Sequence, residues 1–163
     1  MIFGMTPILF LHVLLSLIGI LSGFVVLNGL FKSKRLPGWT FVFLSTTVLT
    51  SASGFLLPAD HLLPSHIVAI ISLVVLAVAL LALYSFRLEG GWRWVYVVTA
   101  TISLYLNVFV LVAQLFSKVP ALHALAPTQG EPPFAIAQGA VLLAFLALGF
   151  LAVKRFRPRR VGL

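Results

Sequence analysis

The chain has 163 residues, 61% of them hydrophobic and 9% charged, with a net charge of +8 and no cysteine. A soluble globular domain carries about 25% charged residues, so a chain this apolar cannot cover itself with polar surface and reads as a membrane protein. The missing cysteine excludes disulfides, thiolate metal sites and thiol redox chemistry, and the basic residues sit at the ends of apolar runs and not on one soluble face, which excludes nucleic acid.

Uncharged apolar runs of about 18 residues or more predict membrane-spanning helices, because about 20 residues cross the ~30 Å hydrocarbon layer. Lipid offers no partner to an unpaired backbone group, so each such run is helical. Five follow in order: residues 7–31, 39–57, 64–86, 94–116 and 134–153. The first is too long for a signal-peptide core and no basic stretch precedes it, so it is expected to be retained. It places His12, Ser16, Gly19 and Gly23 on one helical face. An ionisable side chain inside a span is a functional candidate, and the Gly19–Gly23 spacing lets another helix approach closely. Such a pair most often serves plain helix packing, and the same face is a candidate docking surface for a membrane-protein partner.

Lys32, Lys34 and Arg35 follow the first run. The second run is rich in hydroxyls, with Thr46, Thr50 and Gly54 on one face, a pattern that predicts helix packing and hydroxyls bonded to their own backbone. Asp60 and His61 come next, and His66 opens the third run. Arg87 and Arg93 separate the third and fourth, and the fourth carries Ser103, Asn107 and Gln114 on one face. The segment 117–133, SKVPALHALAPTQGEPP, contains His123, Thr128, Gln129 and Glu131. Its length and apolar stretches, Leu122 and Leu125 included, predict a lid-like loop. Gln138 lies one turn into the fifth run, and residues 154–163 form a basic tail.

Basic residues favour the cytoplasmic side. With five spans, ten of the eleven Lys and Arg residues share one face, Lys118 being the exception, and all four histidines fall on the other. The N-terminus is then outside, the C-terminus and tail 154–163 are cytoplasmic, and 117–133 is a periplasmic loop. All nine prolines fall at or beyond span ends, where a missing N–H does little harm. Trp39, Trp92 and Trp94 mark the cytoplasmic interface. The basic tail reads as topology plus attraction to anionic lipid.

Ordering the polar residues by depth puts His12, Thr50, Ser53, His66, Asn107, Gln114 and Gln138 in the outer half. The bundle is expected to be wet at its outer mouth and dry below, with a shallow pocket roofed by the 117–133 loop. No Asp, Glu, Lys or Arg lies mid-span, which argues against an ion relay. Imidazole ligates haem iron or a divalent metal and also moves protons. His12, His66 and His123, oriented by Asn107, Gln114 and Gln138, are the candidate binding residues, and the three histidines with Glu131 are the candidate metal set. No nucleophile–base pair, phosphate loop or acid dyad is visible.

The stretch 105–139, YLNVFVLVAQLFSKVPALHALAPTQGEPPFAIAQG, and the opening 11–29, LHVLLSLIGILSGFVVLNG, resemble a family of uncharacterised bacterial multi-span inner-membrane proteins built around a domain of unknown function. That bundle is broadly similar to small b-type cytochromes of the inner membrane. The resemblance implies at most one haem, at the outer end, since only His12 and His66 lie within or at the start of spans. The expected fold is therefore an all-α integral membrane protein, a five-span helical bundle. Its leading function is to bind a ligand or partner at the outer pocket. The rivals are a single-haem electron-transfer protein, a metal-dependent membrane enzyme, and a structural subunit of a larger complex.

Overall fold

The structure is a computed structural model in which residues 5–58 and 64–158 are described. Asp60, His61, Arg159 and Arg160 lie outside them. Six helices account for nearly all of the described chain: α1 (Pro7–Phe31), α2 (Pro37–Gly54), α3 (Pro64–Leu80), α4 (Trp92–Lys118), α5 (Pro120–Leu125) and α6 (Pro132–Arg155). No strand occurs among the described residues.

Proline starts five of the six helices. At the first position its missing N–H is one the helix would leave unbonded anyway, and its fixed φ is already helical. Thr6 also caps α1, its hydroxyl accepting from the Leu9 amide at 3.3 Å.

Four helices are long and apolar enough to cross a membrane: α1, α3 with its extension to Ser85, α4 and α6. α2 is the exception to the five expected. It has 18 residues, and Ser45, Thr46, Thr47, Thr50, Ser51 and Ser53 lower its apolarity. Most of these hydroxyls donate to carbonyls three or four residues back on their own helix, for example Thr47 to Phe43 at 2.7 Å and Thr50 to Thr46 at 2.8 Å. The polar groups are thus satisfied locally, as the sequence predicts.

α1, α2, α3 and α4 form a closed ring in which each helix packs on the next, and α4 returns to α1. α6 lies outside this ring against α4 and α1, while α5 packs on the end of α4. The Gly19–Gly23 face of α1 serves packing inside the chain. A Cβ on Gly23 would stand 2.6 Å from Leu104 of α4 and 2.9 Å from Phe43 of α2, and one on Gly19 would stand 3.2 Å from the Thr47 hydroxyl. The two glycines are where α1 meets α2 and α4.

The two ends of the bundle differ. The half holding the end of α1 and the start of α4 is densely packed around Val26, Leu27, Leu30, Phe43, Leu44, Val97 and Phe156. Here the Arg93 guanidinium donates to the carbonyls of Val153 and Phe156 at the end of α6, and the Arg157 amide donates to Ser33 at 2.7 Å. α3 ends in a π-helical turn, Leu81–Ser85, followed by Arg87 and Leu88 with left-handed φ of 49° and 61°. Phe86 stacks flat on Trp92 at 3.9 Å, closing this turn onto α4. The outer surface is apolar, with Leu14, Leu21, Phe41, Val74, Leu143 and Phe150 all exposed, as lipid contact requires.

Candidate functional site

At the other end, where α1 and α3 begin and α2 and α4 finish, the ring opens into a cavity of about 430 Å³. This lies within the range of small-molecule sites, about 300–1,000 Å³. All four helices of the ring contribute to its wall and α6 does not. Leu9, Val13, Leu17 and Ile20 of α1, Val68 and Ala69 of α3, and Leu106, Val110 and Leu111 of α4 make most of it apolar.

The polar groups converge from four segments. His12, half-buried on α1, is held to α2 by a 2.9 Å contact between its Nδ1 and the Ser53 hydroxyl. His66, in the first turn of α3, is buried, and its ring stacks on Phe55 with centroids 5.5 Å apart. Asn107 of α4 donates from Nδ2 to the Thr47 hydroxyl at 3.2 Å. Thr47 has already given its proton to Phe43, so it can only accept. Gln114 and Lys118 continue the α4 side toward the mouth, and among the described residues no carboxylate lines the wall.

His12, His66, Asn107 and Gln114 therefore share one cavity. The other expected residues do not reach it. His123 is exposed in the last turn of α5, outside the wall. Glu131 caps the start of α6, but its carboxylate turns back to accept from the Thr128 hydroxyl at 2.8 Å and from the Thr128 amide. That hydroxyl bond is the main cause that holds the Glu131 carboxyl below its ordinary value. Gln138 sits on α6, behind α4, donating to the Phe109 carbonyl at 3.0 Å. Among the described residues no three of His, Asp and Glu stand close enough to hold a metal ion. The physical reason is that the Gln129 amide ties the 117–133 segment to the Ala113 carbonyl at 2.8 Å. The segment packs beside α4 and supplies only Lys118 to the wall, so it does not roof the cavity.

Two contributors went unrecognised in the sequence. Ser72 of α3 is buried and accepts from the Ser51 hydroxyl of α2 at 3.2 Å, joining those helices at the cavity wall. The signal was a lone serine inside the otherwise apolar stretch IVAIISLVVLAVAL. Lys118 was set aside as the one misplaced cation, although it lines the cavity mouth. Comparison with family models, curated proteins and solved structures finds no match to this chain.

Proposed function

We propose that this is a five-span membrane protein, N-terminus outside, that binds a small amphiphile in the cavity between α1 and α4. The observation carrying this reading is a mostly apolar cavity into which His12, His66, Asn107, Gln114 and Lys118 bring polar groups, with no acid among its described lining residues. Such a lining offers hydrogen-bond donors and acceptors, which suits an oxygen-bearing head group, while the apolar walls suit an aliphatic tail. α2 completes the fifth crossing: its 18 residues rise about 27 Å at 1.5 Å each. The basic residues at the opposite end then face the cytoplasm. Because the chain has no cysteine, single cysteines at Thr128 and Glu89 report topology cleanly. An impermeant maleimide should label the first from outside and the second only after disruption.

The binding test uses a short-chain benzoquinone and a medium-chain fatty acid as probes of thermal unfolding in mild detergent. At 100 times its Kd a probe stabilises by about 2.7 kcal/mol. A Cβ at Gly54, which lines the cavity, would meet His12 at 3.6 Å without a clash, so Gly54→Leu should plug the cavity, with helical circular dichroism checking that the variant folds. Stabilisation of the parent but not of this variant supports the reading. No shift with either probe, and no small molecule co-purifying, overturns it.

One observation favours a second reading. His12 and His66 come from different helices to one cavity, and His12 is engaged through Nδ1, the arrangement that orients a metal-ligating imidazole. A single haem b or a divalent metal would then be held by this pair, without His123 or Glu131. A Soret band lost in His12→Ala or His66→Ala would favour it, and a colourless, metal-free preparation would remove it.

A further inference from the structure

The densely packed end contains a second cavity, of about 220 Å³, among the last turns of α1, the turn into α2, the π-helical turn after α3 and the start of α4. Two cations, Lys34 and Arg35, and three hydroxyls, Thr40, Tyr84 and Tyr96, line it, and among the described residues no carboxylate does. Lys34 makes no ion pair or side-chain hydrogen bond among the described residues, and Arg35 has only a 3.4 Å bond to the Arg87 carbonyl. Tyr96 is 3% exposed, bonds Thr40, and lies within electrostatic reach of Arg35 and Tyr84. The groups are therefore neighbours and not merely residents of one end.

The start of α2 points the same way. Its cap, Leu36, supplies no side-chain acceptor, and Pro37 follows it. The next amides and the helix dipole are left uncapped and favour negative charge. The other walls are apolar: Val26, Leu30, Leu83 and Leu88. We propose that this cavity holds the phosphate of an anionic membrane phospholipid. Lys34 and Arg35 would pair the phosphate, Tyr84 and Thr40 would hydrogen-bond it, and the glycerol and first methylenes would lie on the apolar wall. Basic pockets between membrane helices take such head groups. The inference needs the chain to sit in lipid but does not need the cavity at the histidine end to bind anything, so either can fail alone.

The test is native mass spectrometry of delipidated protein titrated with phosphatidylglycerol, phosphatidylcholine of the same chains, or inorganic phosphate. One phosphatidylglycerol should bind in preference to phosphatidylcholine. Lys34→Gln with Arg35→Gln should weaken it about 30-fold, given roughly a fivefold loss per cation near the surface. Lys154→Gln with Arg155→Gln removes equal charge outside the cavity and should leave it unchanged, with helical circular dichroism intact in both. Equal weakening by both pairs would mean diffuse attraction and would overturn the proposal. So would indifference between the two lipids, or binding of inorganic phosphate alone, which would assign the site to a soluble anion.

Discussion

The Ser53 hydroxyl ties His12 of α1 to α2, standing 2.9 Å from Nδ1 and 3.1 Å from the Thr50 carbonyl. A hydroxyl that gives its proton to that carbonyl accepts from Nδ1–H, and one that gives it to Nδ1 leaves the N–H on Nε2. A double-mutant cycle with His12→Ala and Ser53→Ala should give a coupling of about 0.5–1 kcal/mol, typical of side-chain bonds between membrane helices. Strictly additive effects on unfolding in detergent would show that the two do not interact.

The glycines separate internal packing from a docking face. Gly23→Ala drives a methyl into Leu104 and Phe43, at 2.6 and 2.9 Å. Overpacking of this kind costs about 1–3 kcal/mol. Gly139 of α6 has nothing within 4 Å of the added carbon, so Gly139→Ala should be neutral or gain up to about 1 kcal/mol of helix propensity. Both should migrate as the parent does in native electrophoresis. A Gly23 variant that keeps its stability but loses an oligomer would restore the docking face.

The helices were legible because apolarity is continuous along them: α1 spans the residues its hydropathy predicts. The shifts at other ends have local causes. α4 begins at Trp92 and includes Arg93, whose long side chain reaches the carbonyls ending α6. The π-helical turn had no sequence signal. For the site, periodicity revealed which residues share a face, and so His12 and Asn107 were found. It does not reveal which helix that face meets. It leaves open whether Gly19 and Gly23 meet helices of this chain or another protein, and they meet α2 and α4; His123 on α5 and Gln138 on α6 lie outside the cavity wall.

Glu131 makes the loop before α6 sensitive to acid. Its carboxyl is held below the ordinary 4.5, chiefly by the Thr128 hydroxyl. The ionised form is therefore the one that stabilises the folded loop. That contribution is complete at pH values above 4.5 and disappears as pH falls through the lower folded value. Amide exchange at residues 128–130, corrected for intrinsic rates, should be slow at pH 6 and accelerate below pH 4. Glu131→Gln should flatten this dependence. Identical profiles for parent and variant would show that the carboxylate does not hold the loop.

Gln138 distinguishes a packing amide from a binding one. Its Nε2 donates to the Phe109 carbonyl of α4, and its buried Oε1 has no partner among the described residues. Exchanging the two amide atoms would bring two oxygens together at Phe109, so the orphan is not relieved by a flip. A buried unsatisfied polar atom costs about 1–3 kcal/mol, and a net hydrogen bond contributes about 1 kcal/mol. Gln138→Leu removes both, keeps the volume on α6, and should fall between neutral and slightly stabilising. It should leave probe binding in the α1–α4 cavity unchanged, because α6 does not line that wall. Asn107→Leu should instead weaken binding and leave the Thr47 hydroxyl without its donor. If Gln138→Leu costs more than about 2 kcal/mol, beyond any single membrane hydrogen bond of this kind, then Oε1 is satisfied by a group outside the described residues and Gln138 belongs to a polar network.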